Sequence, residues 1–254
     1  MEKTTRLGQH RHLAVFWAAV SSWIAVLVGI AVLVGWQFRI DLLPRNVSVF
    51  MTPNTALCFI LCGLSLWLQR EKHKQGWTVV LGKACAGFVL VFAGLTLVEY
   101  ITVLDFGIDR IFFAHRLSDW YGPSPVGRFA SNTTLAFVLL GLALFLLDWK
   151  WLRQPVWEVP SLGAALTAYL GLIGFCYGIS SLYGVSTGLR MALHTAITLL
   201  VLSTGVFFAR SDKGMARLLL RREVTGVVTR CLVVTAFIVL PSLGWLRLKA
   251  EAGD

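Results

Sequence analysis

The chain has 254 residues, of which 57% are hydrophobic and 14% are charged, and its mean hydropathy is +0.73. Soluble domains carry about 25% charged residues, so this composition excludes an ordinary soluble domain and predicts an integral membrane protein. The formal net charge is +10, which in a membrane protein reports topology and contact with anionic lipid, and we predict no nucleic-acid partner.

Seven apolar stretches predict an all-α membrane protein with about seven transmembrane helices. The second and fourth are shorter than the roughly 20 residues that cross a bilayer core. The first follows a basic N-terminal segment, residues 1–12, and is too long for a cleaved signal peptide, so we interpret it as an anchor. The predicted spans are 13–37, 54–69, 78–104, 132–148, 161–183, 192–209 and 228–246.

The basic residues indicate an orientation. If the N-terminus is cytoplasmic, most of the 23 lysine and arginine residues fall on the cytoplasmic side of the seven spans. Cytoplasmic loops of membrane proteins carry such an excess. We therefore predict a cytoplasmic N-terminus and, with seven spans, a short outer tail at residues 249–254.

One phrase recurs three times, as "TPNTALCFILCGLSLWLQR" (52–70), "ASNTTLAFVLLGLALFLLD" (130–148) and "ALHTAITLLVLSTGVFFAR" (192–210). Asn54, Asn132 and His194 align, each followed by threonine. The preceding spans end alike, in Trp36, Tyr100 and Tyr177. Internal repetition predicts a repeated structural unit. We therefore predict a helical repeat of three hairpins in a bundle over residues 13–248: the hairpins cover 13–70, 78–148 and 161–210, and the final helix covers 228–246.

The aligned polar residues have two interpretations. Asn54 and Asn132 are suited to cap the helices that they begin, because a side-chain oxygen satisfies an early backbone N–H, and Pro53 fits a helix entry. The alternative is contact with a ligand at the outer membrane edge. His194 is a poorer cap, titrates near neutral pH and follows Arg190 by four residues, so both roles stay open for it.

Glu99 is the acidic residue that lies well inside an apolar run, "AGLTLVEYITVL". Carboxylates at membrane depth face a bundle interior or a wet cavity and are functional candidates. Arg128 or Arg190 is placed to neutralise it, and the alternative is a buried ion pair that fixes helix register. His115, His194 and Glu99 are candidate metal ligands, without the tight spacing that metal sites show.

Four phrases in order resemble the N-terminal membrane region of bacterial multidomain signalling proteins. They are "MTPNTALCFILCGLSLWL", "IDRIFF" with "PVGRFASNTTLAFVLLGLALFLLD", "RMALHTAITLLVLSTGVFFARSDKGMARLL" and "LPSLGWLRLKAEAGD". The resemblance covers residues 40–254, and "SNTT" and Phe129 depart from the family pattern. In such proteins the bundle precedes PAS modules and a histidine kinase or diguanylate cyclase domain.

The resemblance implies a sensory input domain, of the kind found in two-component systems, in the bacterial inner membrane. It also implies a homodimer and a further span after the unpaired seventh helix, so we expect the chain to end before its output module. We expect no catalytic module here, and a small-molecule or lipid-soluble ligand near the outer face. The sequence identifies neither cofactor nor stimulus. Candidate ligand-binding residues are Asn54, Glu99, Tyr100, Arg128, Asn132, Tyr177, Arg190 and His194. The alternatives are a small transporter or channel, and a membrane enzyme acting on a lipid or quinone.

Overall fold

The computed structural model describes residues 2–38, 51–70, 76–102, 105–108, 128–148, 155–179, 190–211, 214–220 and 224–251. These residues are almost entirely helical and include no β-strand. The helices are α1 (Glu2–Phe38), α2 (Pro53–Gln69), α3 (Gly76–Thr102), α4 (Ser131–Leu146), α5 (Glu158–Tyr177), α6 (Leu193–Phe208), α7 (Gly214–Leu220), α8 (Val224–Val234) and α9 (Leu240–Glu251). A π-helical turn, Thr235–Val239, joins α8 to α9, and the three together are termed the final helix.

Four segments are long and apolar enough to cross a membrane: His12–Phe38, Gly76–Thr102, Glu158–Tyr177 and Gly226–Arg247. Helices α2, α4 and α6 are also apolar but have only 17, 16 and 16 residues. The predicted class, a multi-pass helical membrane protein, agrees with these helices. Their length alone supports four spans, whereas the sequence predicts seven.

The three short helices lie at the centre of the bundle. Helices α2, α4 and α6 contact one another, and each of α1, α3 and α5 packs into the cleft between two of them. Helix α1 contacts both α2 and α6, so the ring of six helices is closed. Each central helix packs against other helices on most of its sides. Protein groups can therefore satisfy its ends, and it does not have to match the full lipid thickness.

The central helices turn the same positions of the recurring phrase inward. Three positions, spaced at i, i+3 and i+7, lie on one helix face. The residues at these positions are all fully buried: Phe59, Phe137 and Leu199; Cys62, Leu140 and Leu202; Leu66, Leu144 and Val206. Aromatic contacts at ring-centroid distances of 5.0 Å (Phe59–Phe137) and 5.7 Å (Phe129–Phe137) fill the middle of the core. The centre is therefore a packed apolar column.

Small residues allow α1 to approach both central neighbours. A Cβ at Gly63 of α2 would lie 2.7 Å from the backbone oxygen of Ser22, and a Cβ at Gly205 of α6 would overlap the side chain of Ser21. In a membrane, such close approach is a main source of helix association, because lipid offers no hydrophobic driving force. These two glycines explain how one helix fits between α2 and α6.

Candidate functional site

The N-rim, defined as the bundle end where α2, α4 and α6 begin, carries most of the predicted site residues. Each of these helices is preceded by one residue with extended backbone, Thr52, Ala130 or Ala192. The carbonyl of that residue accepts the N–H of the residue four positions later, which is the first hydrogen bond of the helix. Only Thr52 adds a side-chain cap, to the N–H of Thr55. The three helices therefore begin at the same position of the recurring phrase.

The predicted caps at Asn54 and Asn132 are wrong by two residues. Asn54, Asn132 and His194 each occupy the second helical position, after Pro53, Ser131 and Leu193 respectively. Pro53 explains the shift in α2, because a proline at the first helical position leaves the capping role to the residue before it. Asn54 is buried, while Asn132 and His194 are half-buried. These three side chains lie on the helices that contact one another in the centre.

Glu99 organises one side of the N-rim. Its buried Oε1 accepts the backbone N–H of Phe106 at 2.7 Å, and its Oε2 lies 3.2 Å from Nη2 of Arg128. The carboxylate thus joins the end of α3 to the residues that follow α3 and to the segment that leads into α4. This geometry fits the second interpretation of Glu99, a buried ion pair, because protein groups bind both oxygens of its carboxylate.

Aromatic side chains at the ends of α1 and α3 make equivalent bonds. Trp36 Nε1 donates to the carbonyl of Met51 at 3.0 Å, and the Tyr100 hydroxyl donates to the carbonyl of Phe129. Met51 and Phe129 each stand immediately before the residue that precedes α2 or α4. The Arg128 guanidinium also lies 5.4 Å from the centre of the Tyr100 ring, within cation–π range. These bonds close the N-rim end of the first two helix pairs.

Arg190 and Tyr177 are placed differently from the arrangement that the sequence predicts. Arg190 is exposed and precedes the first residue of α6 by three positions, so the helical face that the sequence predicts it to share with His194 does not exist. Tyr177, the third aromatic of its kind, donates at 2.7 Å to the carbonyl of Pro241 in the final helix. The structure therefore brings Glu99, Tyr100 and Arg128 together and directs Tyr177 elsewhere.

The described residues give no support to the candidate metal site. His115 lies outside the described residues, and both oxygens of Glu99 are engaged by protein groups. Within the ranges that the structure describes, no group of three or more His, Cys, Asp or Glu side chains is arranged to hold a metal.

A second polar network, which sequence reasoning missed, lies at the C-rim, the end where α2, α4 and α6 terminate. Arg210 is buried and its Nε donates to both Asp148 carboxylate oxygens, at 3.0 and 2.8 Å. Its Nη atoms donate to the carbonyls of Gln69 (2.6 Å) and Arg70 (3.0 Å). One guanidinium thus donates to carbonyls at the C-terminal end of α2, where the helix itself supplies no donor, and binds the Asp148 carboxylate that follows α4.

A signal for this network was present in the sequence. Asp148 and Arg210 stand sixteen residues after Asn132 and His194, and Arg70 stands sixteen after Asn54. Extending the alignment of the recurring phrase to its last residue therefore puts two arginines and one aspartate at one structural position. Arg210 and Asp148, which occupy the same position of the recurring phrase, form an ion pair where the helices end.

The C-rim also holds the short helix α7. Buried Glu158, in the first turn of α5, accepts the backbone N–H groups of Met215 (2.8 Å) and Ala216 (3.2 Å). A carboxylate is favourable at the N-terminal end of a helix, where N–H groups lack intrahelical partners. Gly214 adopts φ +60° with its Cα against that carboxylate, where a Cβ would not fit. This cap fixes α7 beneath α5.

No family model, no curated protein and no solved structure matches this chain. The structural features of this chain that bear on its function are the two rims, the apolar column between them and the attachment of the final helix.

Proposed function

We propose that this chain is the membrane-embedded sensory input domain of a bacterial signal-transduction protein of the histidine kinase or diguanylate cyclase type. Its seven helical spans form three hairpins and a final helix in the inner membrane. The N-terminus and the C-rim face the cytoplasm, and the N-rim faces outward. A stimulus at the N-rim shifts the hairpins relative to one another, and the final helix passes the shift on.

The observation that carries the proposal is the placement of the final helix. Six helices form a closed ring, whereas the segment Gly226–Arg247 is only 6% buried and contacts the ring through α5. Tyr169 and Tyr177 of α5 donate hydrogen bonds to the carbonyls of Phe237 and Pro241 in this segment. A helix attached along one narrow line can move without dismantling the core, which suits an output element.

The N-rim supplies the proposed input. Glu99, Tyr100 and Arg128 form a rigid wall, because each is held by a partner from another segment. Asn54 and Asn132, at the second positions of α2 and α4, and His194, its counterpart in α6, complete the candidate surface for a small or lipid-soluble ligand. The bundle acts as a homodimer in this proposal, as the resemblance implies, and the lipid bilayer is its other partner.

The same observations weigh against transport. A transporter needs polar groups near mid-depth to carry a substrate through. Here the inward positions of all three central helices are apolar and fully buried over two turns, and Arg210 ties the helix ends together at the C-rim. The described polar networks lie at the rims, which fits a receptor that binds at one face.

A topology measurement tests the architecture. Reporter enzymes fused after residues 70, 148 and 210 should be active only on the cytoplasmic side, whereas a fusion after residue 251 should be active only on the outer side. A cytoplasmic signal after residue 251 would contradict seven spans.

A chimera tests the sensory role. The chain is followed by one return span and a diguanylate cyclase domain, and cyclic di-GMP is measured in cells that lack other cyclases. Arg128→Ala should change output several-fold at equal protein level, because it loosens the N-rim, whereas Arg217→Ala, an exposed C-rim change, should not. Equal output from Arg128→Ala and the unmodified chain would contradict sensing at the N-rim.

Two further outcomes would favour the alternatives. Solute flux in proteoliposomes that is lost in Glu99→Gln would favour a transporter. Turnover of a lipid or quinone by the purified chain that is lost in His194→Ala would favour an enzyme.

A further inference from the structure

The third hairpin breaks a bonding pattern that the first two share. Trp36 and Tyr100 donate to Met51 and Phe129, which directly precede the residue before α2 and α4. By position, Tyr177 corresponds to these donors and Met191 to these acceptors. Met191 is buried and packs on α5, where its sulfur lies 3.0 Å from the position of a Cβ on Gly171. The residue that carries the equivalent acceptor thus packs its side chain against the helix that carries Tyr177.

The final helix has a built-in defect where α5 contacts it. Pro241 has no N–H, so it cannot donate to the carbonyl of Phe237 four residues earlier, as a regular helix requires. The hydroxyl of Tyr169 donates to that carbonyl at 2.6 Å, and the two rings pack edge to face at 5.1 Å. A carbonyl that loses a hydrogen bond inside a membrane is costly, so the bond from Tyr169 is retained and serves as a hinge.

The bond from Tyr177 differs in kind. It reaches the carbonyl of Pro241, within α9, where regular helix geometry gives that carbonyl the N–H of Trp245 as well. Its loss therefore leaves no orphan acceptor. Gly244 admits the contact, since a Cβ there would lie 2.5 Å from the Tyr177 hydroxyl. This second bond can be exchanged.

We propose that Tyr177 is a two-position latch. In the described state its hydroxyl holds the final helix at Pro241. In the second state it donates to the carbonyl of Met191, which completes the pattern of the other two hairpins and frees α9, while Tyr169 keeps the hinge. Each state has one hydrogen bond from Tyr177, so a modest bias at the N-rim is sufficient to shift the populations.

The π-helical turn gives the freed segment a defined motion. Thr235–Val239 contains the hinge residue Phe237 and joins α8 to α9. Conversion of one π turn to α geometry moves the following helix by about one residue, which is about 100° of rotation and 1.5 Å of rise. The role of this motion as a signal rests on the proposed function, but the exchange itself does not.

Distance measurement tests the release. Spin labels replace Leu166 on α5 and Leu246 on the final helix, which are both exposed, in a chain whose native cysteines are changed to alanine. Tyr177→Phe should add a second, longer distance population. The matched control Thr167→Val, which removes a hydroxyl that donates to the carbonyl of Gly163 within α5, should leave the distribution unchanged. A distribution for Tyr177→Phe equal to that of the parent chain would overturn the latch.

Isotope-edited infrared spectroscopy tests the exchange. Methionine carbonyls are labelled with carbon-13, and the band of Met191 is identified by its loss in Met191→Leu. Gly244→Ala expels the Tyr177 hydroxyl from the final helix, so the Met191 band should move to lower frequency, and Tyr177→Phe added to Gly244→Ala should abolish the shift. An unmoved band in Gly244→Ala would overturn the second position. The sensory role fails separately, in the cyclase chimera.

Discussion

Removal of the Arg210 guanidinium is the sharpest test of how the central helices are held. The change Arg210→Met keeps most of the side-chain length and removes all donors. It deprives the carbonyls of Gln69 and Arg70 of their guanidinium donors and leaves Asp148 without its cation. Arg217→Met is the matched control, because Arg217 is exposed at the same rim.

The expected loss follows from these bonds. The Asp148 side chain is 39% exposed, so water screens the pair and its loss costs about 1 kcal/mol. Each carbonyl that loses its donor costs about 1–3 kcal/mol, toward the lower end where headgroup water reaches the rim. We therefore expect Arg210→Met to lower the free energy of unfolding by about 3 kcal/mol and Asp148→Asn by about 1 kcal/mol.

Thiol accessibility measures this loss directly. Cys58 and Cys62 are fully buried, whereas Cys176 and Cys231 are exposed and Cys85 is half-buried. With these last three changed to serine, a thiol-reactive dye reports unfolding as the SDS fraction in mixed micelles is raised. Arg210→Met should expose these thiols at a lower SDS fraction than the parent chain, and Arg217→Met should not. If Arg210→Met and Arg217→Met unfold at the same SDS fraction, the guanidinium does not hold the helix ends and the reasoning is refuted.

Three further predictions use the same assay. Gly63→Ala places a methyl group 2.7 Å from the backbone oxygen of Ser22 and should cost about 1–3 kcal/mol, whereas Gly94→Ala, with nothing within 4 Å, should not destabilise. Glu99→Gln keeps the acceptor for the N–H of Phe106 but removes the charge opposite its arginine, so it should cost about 1–2 kcal/mol, and Glu99→Ala should cost more. Phe137→Ala leaves a cavity in the aromatic core and should cost about 3–5 kcal/mol; a parent-like stability would contradict the packing.

For much of the candidate site, the sequence predicted which residues take part but not how they are paired or positioned. The sequence singled out Glu99 and Arg128 because charges are rare at membrane depth, and the structure pairs them. It put helix caps at Asn54 and Asn132, two residues late, because several adjacent residue types are able to cap and backbone geometry selects among them. Tyr177 was grouped with the N-rim, although its partner, Pro241, lies 64 residues further along the chain.

The sequence by itself determined the membrane class and the approximate positions of the apolar helices, because hydropathy is a local property. Only the tertiary structure decided that α1 closes the ring against α6, that α2, α4 and α6 occupy the centre, and that Arg210 joins their ends. These features depend on contacts between residues far apart in the chain. The apolar pattern does not encode them, since in lipid every face of such a helix is hydrophobic and packing alone selects the inward one.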